Sequence, residues 1–149
     1  MVQVLLKKSL YDEDFYAWTD EQAALLRAGK LSAADIENIA EEIESMGRRE
    51  KRELVSRLAA LLLHLLKWQY QPEMRGASWR VSIANTRDDL ADLLQDSPSL
   101  GANLREYIAS AYQRARRQAS AETGLNEKTF PPACPYPFSQ ATDADFWPD

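Results

Sequence analysis

Two arginines and a line of glutamates are the residues whose spacing suggests shared chemistry. Arg80 and Arg87 lie seven residues apart, so they share one face of a helix, close to an apolar stripe that includes Ile83. An arginine beside an apolar stripe must reach water or pair with a carboxylate. The upstream carboxylates at helical spacing are Glu37, Glu41, Glu44 and the bordering Glu42. We therefore predict that Arg80 pairs with Glu41 or Glu42, either in a structural ion-pair network or in a binding or catalytic site.

His64 is the only histidine, and we predict that it lies close to this group. A lone histidine at the edge of an apolar arc is usually a hydrogen-bonded packing residue, so a structural role is the alternative to a catalytic one. Zinc sites need further nitrogen or sulfur ligands at short spacing, and the sequence has no such motif. Carboxylates alone could hold magnesium, but their spacing is that of any acidic helix face. The sequence predicts no metal site and no cofactor, and its catalytic candidates are Glu41, Glu42, His64 and Arg80.

Arg57 and His64 lie two helical turns apart on one face, so both could reach a phosphodiester. An arginine followed a few residues later by a histidine on a helix resembles the active-site motif of the all-helical HEPN ribonucleases. The residue after Arg57 is Leu58, where that family often has a polar residue. The resemblance implies a small phosphodiester-cleaving enzyme as an alternative function. The candidates for binding a ligand are Arg57, Lys67 and Arg87.

Helices must position all of these residues, and the central helix is predicted over residues 54–70. Leucines recur there three and four residues apart, and a second apolar line that includes Val55 and Leu62 widens the stripe. A helix that is apolar around most of its girth must be surrounded by other helices. We predict an all-α fold, a single bundle of about five to six helices around this central helix. Leu61 and Trp68 should be buried in it.

Capping and breaking residues predict the other helix boundaries. Thr19 and Gln22 form a capping-box pattern, so a helix is predicted to start at Thr19 and to stop at Gly29. Ser32 is predicted to cap the next helix. Near Gly47 the chain either turns or kinks. The sequence does not distinguish the two, because no strong cap precedes the central helix.

The last 26 residues differ in character from the rest, because prolines and aromatics replace the helical periodicity. Such a segment could be a disordered tail, but disordered segments are poor in aromatics. We therefore predict an extended arm over residues 124–149, laid over the bundle and anchored by Trp147. With a lead-in over residues 1–9 and helices over residues 10–123, this amounts to a single domain over residues 1–149.

The composition is that of a globular protein, with 45% hydrophobic residues, 28% charged residues and a net charge of −5. The negative charge argues against a nucleic-acid partner held by bulk electrostatics. The apolar run over residues 58–66 is too short to cross a bilayer, and the N-terminus lacks the layout of a secretory signal. Cys134 has no cysteine partner for a disulfide. The sequence predicts a soluble cytoplasmic protein without a membrane partner.

Several stretches of the chain together are similar to those of one family. They are YDEDFYAW, DIENIAEEIESMG, LLLHLLKWQYQPE, SWRVSI, DSPSL and FPPACPY. They resemble the bacterial family called domain of unknown function twenty-nine, from about residue 10 to residue 148. The resemblance implies an all-helical fold and no established activity, substrate or cofactor. The positions that match its motifs are Asp14, Trp18, Glu41, Glu42, His64, Lys67, Trp68, Trp79 and Arg80.

The sequence therefore favours a cytoplasmic interaction or regulatory module over an enzyme. A protein partner or a second copy of the chain is compatible with it, and it identifies neither. The alternative is a phosphodiester-cleaving enzyme that uses Arg57 and His64, or Glu41 and Glu42 with Arg80.

Overall fold

The computed structural model describes residues 9–149, and the all-α fold predicted from the sequence is confirmed there. Six α-helices alternate with four short 3₁₀ segments, and no β-strand occurs in this range. The α-helices are α1 (Leu10–Glu13), α2 (Phe15–Arg27), α3 (Ile36–Tyr70), α4 (Ala77–Asp96), α5 (Leu104–Thr123) and α6 (Phe138–Ala141). Apart from Ser9, the predicted lead-in over residues 1–9 lies outside the described residues. None of the helices described has the length and apolar character needed to cross a membrane.

The chain divides into two compact units, and we call Met1–Arg48 the N-terminal unit and Arg49–Asp149 the C-terminal unit. The boundary falls within α3, so this helix contributes residues to both units. The prediction of a single domain over residues 1–149 stays a prediction.

Helix α2 begins earlier than the sequence predicts. Its N-cap is Asp14, whose side-chain carboxylate accepts a hydrogen bond from the Ala17 N–H at 3.0 Å. Thr19 lies inside the helix, and its hydroxyl donates to the carbonyl of Tyr16 at 2.7 Å. The predicted start at Thr19 is therefore wrong, because a carboxylate upstream caps the helix instead. The predicted stop is confirmed, since Gly29 follows the helix with a φ of 72°, which glycine adopts without strain.

Helix α3 runs from Ile36 to Tyr70 without interruption, so Gly47 neither ends the helix nor starts a new one. Ser32 lies within the preceding 3₁₀ segment, Leu31–Ala33, and the predicted cap at Ser32 is therefore wrong. From the sequence, two helical regions over residues 32–47 and 54–70 are predicted, joined by a turn or a kink near Gly47. In the structure both regions belong to one helix.

The N-terminal unit buries few side chains. Among residues 9–48 only Trp18 and Gln22 are buried, and both lie on α2. The rings of Tyr11, Phe15 and Trp18 pack against one another with centroids 4.8 to 5.7 Å apart. The Trp18 indole N–H donates to the carboxylate of Asp35 at 3.1 Å. An aromatic cluster and a polar contact thus take the place of an aliphatic core.

The C-terminal unit, by contrast, contains an extensive apolar core. Twenty buried apolar side chains form one cluster there, and nine of them come from α3. Leu61 is fully buried and Trp68 is 6% exposed, so the predicted burial of both is confirmed. The nine residues of α3 are Leu54, Leu58, Ala59, Leu61, Leu62, Leu63, Leu65, Leu66 and Trp68.

Residues 124–149 make several contacts within the C-terminal unit. The Phe130 ring is fully buried and lies 5.1 Å from the ring of Tyr70. The Tyr112 hydroxyl donates to the carbonyl of Pro131 at 2.5 Å, and burial raises the pKa of Tyr112 to about 12. The ring of Trp147 lies 4.6 Å from that of Trp68. These contacts join the segment to α3 and α5.

Candidate functional site

The acidic candidates have partners inside the N-terminal unit. Glu41 accepts a hydrogen bond from Arg48 at 2.7 Å, and both side chains are about half exposed. Glu42 accepts from the hydroxyl of Tyr11 at 2.5 Å. This hydrogen bond, helped by desolvation and by the charge of Glu42, raises the pKa of Tyr11 to about 12. Glu42 thus stabilises the protonated phenol.

Arg80 contacts an aromatic ring within the C-terminal unit. Its guanidinium carbon lies 5.4 Å from the centroid of the Trp68 ring, a cation–π distance. The ion pair of Arg80 with Glu41 or Glu42 stays a prediction. The arginine stacks on an aromatic face, and the two carboxylates bind donors of their own unit.

Two cations and two tryptophans form a crossed arrangement between α3 and α4. Lys67 of α3 places its Nζ 5.0 Å from the Trp79 ring of α4, while Arg80 of α4 covers Trp68 of α3. Lys67 also lies 3.6 Å from a carboxylate oxygen of Glu122. Each helix thus supplies one cation and one aromatic ring to this contact. The arrangement joins two helices and requires no ligand.

Arg75 is a member of the same cluster that sequence reasoning missed. Its Nε donates to the carbonyl of Trp68 at 2.7 Å, and its guanidinium carbon lies 5.1 Å from the Trp68 ring. Its Nη2 donates to the carbonyl of Pro148 at 3.4 Å. A basic residue shortly after a helix end can satisfy the last carbonyls of that helix. The signal in the sequence that could have identified Arg75 is its position, five residues after the last residue of α3.

Arg57 and His64 each have partners within the C-terminal unit. The Arg57 guanidinium donates to Glu53 at 2.8 Å and lies 3.1 Å from a carboxylate oxygen of Asp89. The hydrogen bond to Glu53 is the main reason that the pKa of Arg57 is raised. His64 is half-buried, and its Nδ1 donates to the carbonyl of Ala60 at 2.8 Å. Both ion pairs are about half exposed, so a phosphate at Arg57 would have to compete with two carboxylates for the guanidinium.

Arg87 is buried and binds main-chain carbonyl groups of the C-terminal segment. Its Nε donates to Ala141 at 2.9 Å, its Nη1 to Ala144 at 3.5 Å and its Nη2 to Phe146 at 2.7 Å. Its guanidinium carbon also lies 5.4 Å from the Trp147 ring. Burial lowers the pKa of Arg87. The guanidinium of Arg87, a candidate for binding a ligand, therefore binds main-chain carbonyls of the protein itself.

A cavity of about 250 Å³ opens beside Arg87. Apolar side chains dominate its lining, which consists of Arg87, Leu90, Ala91, Leu94, Phe138 and Thr142. The guanidinium of Arg87 is the charged group in this lining. Its three nitrogens already donate hydrogen bonds to main-chain carbonyls of the protein. Within residues 9–149 no group of three or more histidine, cysteine, aspartate or glutamate side chains could hold a metal ion.

The feature that stands out lies on the surface of the N-terminal unit. Of the ten large apolar side chains that are exposed among the described residues, eight belong to this unit. They are Leu10, Phe15, Tyr16, Leu26, Leu31, Ile36, Ile43 and Met46. The larger C-terminal unit exposes only Met74 and Val81 among residues of this kind.

Four of the apolar residues on α3 form one continuous face, which we call the α3 stripe: Ile36, Ile39, Ile43 and Met46. They recur at intervals of three and four residues, and at about 100° per residue they fall within an arc of about 80°. Three of them are exposed by 50 to 60%, and Ile39 is half-buried. Asn38 and Glu42, which make the contacts of this helix inside the unit, lie about 100° away around it. The centre of the stripe therefore lies well around the helix from Asn38, while Glu42 borders the stripe at its Met46 edge.

The fold and this surface define an all-helical chain with an uncovered apolar helix face. The chain belongs to the family described as "Domain of unknown function DUF29", whose model matches residues 10–147. The resemblance noted in the sequence is thereby confirmed, and no activity is established for the family. No curated protein and no solved structure shows a significant match to the chain.

Proposed function

We propose that this chain is a protein-interaction module of the bacterial cytoplasm and that it binds its partner through the α3 stripe. The observation that supports the proposal best is the exposure of Ile36, Ile43 and Met46 on one face of a long helix. Single exposed apolar residues are common on protein surfaces, but a continuous apolar helix face is typical of a binding surface. A helix with such a face is stabilised when a second apolar surface covers it.

The weak core of the N-terminal unit supports the same proposal. Trp18 is the only buried apolar side chain among residues 9–48, whereas the C-terminal unit buries twenty. Units of about 40 residues rarely bury enough apolar surface to be stable without a metal, disulfides or a partner. A partner on the α3 stripe would supply the missing burial. Binding would therefore also stabilise the N-terminal unit.

The cysteine content is compatible with a reducing compartment, because Cys134 is the single cysteine of the sequence. The thiol is half-buried, donates to the carbonyl of Tyr136 at 3.3 Å, and has its pKa raised by burial. A single thiol of this kind neither forms an internal disulfide nor acts as a strong nucleophile. Together with the bacterial family that the sequence resembles, this is the basis for proposing the cytoplasm.

Photo-crosslinking in cells tests the proposal. A photoreactive phenylalanine derivative is placed at Ile43, and as a matched control at Val81, which is exposed to nearly the same extent, 60% against 56%. We expect irradiation to give covalent adducts with protein at position 43 and not at position 81. The adducts at position 43 should disappear when Ile36→Ser and Met46→Ser are added, because these changes remove the rest of the stripe.

Equal labelling at the two positions would contradict the proposal, as would adducts that persist without the rest of the stripe. The enzymatic alternative stays a prediction, and the two carboxylate partners of Arg57 weigh against it.

A further inference from the structure

We infer that the partner segment which the α3 stripe receives is a basic amphipathic helix. The inference rests on the proposed function and adds the chemistry of the partner to it. Three observations carry it: the charge of the N-terminal unit, the distribution of its ion pairs, and the spacing of the stripe.

The net negative charge of the protein lies in the unit that carries the stripe. Residues 1–48, the N-terminal unit, contain ten acidic and five basic side chains, a net charge of −5, whereas residues 49–149 contain thirteen of each sign. The net charge of −5 for the whole chain is therefore that of the N-terminal unit, and the C-terminal unit is neutral. A partner that covers an apolar face in such a field gains most when it carries positive charge.

Within residues 9–48, few of these carboxylates lie in ion pairs. Among residues 9–48 the ion pairs join only Arg48 with Glu41 and Glu44, which lie on the side of α3 away from the stripe. Glu42 borders the stripe, and its partner among residues 9–149 is a neutral phenol, that of Tyr11. A carboxylate has two oxygens, so Glu42 can accept a further hydrogen bond. A lysine or arginine beside the apolar face of a docked segment would lie within reach of it.

The spacing of the stripe indicates that the partner segment is helical. Ile36, Ile39, Ile43 and Met46 occupy the a and d positions of successive heptads, the pattern by which one helix packs against another. The stripe is about 15 Å long at 1.5 Å per residue, so a helix of about three turns covers it. An amphipathic helix in an apolar groove presents side chains at the same three- and four-residue intervals.

A second copy of this chain fits the surface less well. Pairing two α3 stripes would bring together two units that each carry a net charge of −5, and like charges repel. A basic helix satisfies the same apolar face without that repulsion.

Peptide binding to the full chain tests the inference. The probe is a fluorescein-labelled peptide of about four helical turns, with leucine at the a and d positions and lysine elsewhere. One control peptide has the same composition in scrambled order, and another has glutamate in place of lysine. Fluorescence anisotropy should show binding of the first peptide only. Raising the ionic strength from about 0.05 M to about 0.5 M should weaken binding, because the Debye length shortens severalfold.

Two matched double variants locate the binding surface. Ile43→Ser with Met46→Ser should weaken peptide binding at least about tenfold, because it removes central apolar contacts. Met74→Ser with Val81→Ser removes two side chains of the same exposure, 60% and 56%, from the other unit and should leave the affinity unchanged. All four side chains are exposed, and a thermal melt of each variant checks that the fold is kept.

Equal binding of the scrambled or the glutamate peptide would overturn the inference, and so would equal binding by the stripe variant. Sedimentation that shows a dimer, lost on Ile43→Ser with Met46→Ser, would also overturn it while supporting the proposed function. In that case the stripe would still bind protein, but its partner would be a second copy. An absence of specific cross-links at Ile43 would instead remove the proposed function itself.

Discussion

At the scale of single residues, Asp35 organises the N-terminal unit. Its carboxylate accepts from the indole N–H of Trp18 at 3.1 Å and from the side-chain amide of Asn38 at 2.8 Å. Its own backbone N–H donates to the side-chain oxygen of Gln22 at 2.7 Å. Trp18 and Gln22 are the two side chains buried in the described part of this unit, and both bind Asp35. The residue just before α3 therefore holds α2 through polar contacts.

The substitution Asp35→Asn should loosen the unit in a pH-dependent way. The hydrogen bond from Asn38 is the largest cause of the lowered pKa of Asp35. A group whose pKa is lowered by folding stabilises the folded state above its unfolded pKa, near 3.8, and loses this contribution as the pH falls through its folded value. At pH 6 we therefore expect faster hydrogen exchange of the Trp18 indole N–H in the variant. Below about pH 3.8 the wild-type protein should approach the variant.

Protection factors from NMR, which correct for the intrinsic pH dependence of exchange, measure this difference. Asp20→Asn removes an exposed carboxylate from the same unit and serves as the control. A difference that is absent at pH 6, or that stays constant down to pH 3, would show that the Asp35 carboxylate does not hold Trp18.

The contacts of Arg80 show what the sequence could and could not predict about the site. Periodicity placed Arg80 correctly on a helix and identified Trp68 as a core residue, and the family resemblance added Lys67 to the positions of interest. It did not predict that Arg80 covers the Trp68 ring. Periodicity gives the angle of a side chain around its own helix, but not the level at which two helices cross. Whether Arg80 meets a carboxylate or an aromatic ring depends on where along their lengths the two helices cross.

At the scale of elements, α3 is longer than the sequence analysis could establish. Gly47 costs about 1 kcal/mol relative to alanine inside a helix, which makes a break at that position plausible from sequence. In the structure Arg48 lies 2.7 Å from Glu41 and 3.9 Å from Glu44, so ion pairs along the helix bracket the glycine. Exposed pairs of this kind contribute only about 0.3–0.5 kcal/mol each. The dense leucine packing that follows residue 54 supplies the remaining stabilisation, and this depends on tertiary structure.

The contribution of Trp68 to the stability of the C-terminal unit can be measured by substitution. Its ring contacts Trp147, Arg75 and Arg80 and is 6% exposed. Trp68→Ala should lower the free energy of unfolding by about 3–5 kcal/mol, as deletions of large buried aromatics do. Urea denaturation measures the loss, and Tyr16→Ala, at a side chain that is 78% exposed, is the control. A loss below about 1 kcal/mol, the range of surface substitutions, would contradict the central position of Trp68.

At the scale of the whole molecule, the two units differ in how they are stabilised. The C-terminal unit has the apolar core that the sequence predicts from the leucine-rich part of α3. The N-terminal unit depends on aromatic rings, Asp35 and an incompletely covered surface. The sequence did not reveal this difference, because Ile36, Ile43 and Met46 have the same spacing as residues of a buried face. Only the structure distinguishes a face that is packed from one that is exposed.

Native-state hydrogen exchange should therefore differ between the units. Backbone amides of α2 should exchange by openings of much lower free energy than amides over residues 54–66, because local stability follows the density of buried apolar contacts. Mass spectrometry of peptides from each region measures this in one experiment on the full chain. Uniform protection across the two regions would show that the N-terminal unit is as stable as the apolar core.

The contacts of Arg87 have a consequence for which sequences this fold accepts. The arginine binds the main-chain carbonyls of Ala141, Ala144 and Phe146, and every amino acid carries such a carbonyl. Ala144 itself is exposed, so many side chains could stand there without disturbing the hydrogen bond. At position 87 only the forked guanidinium reaches three acceptors together. One side of this contact is thus free to vary in sequence, while the other is restricted to a single residue type.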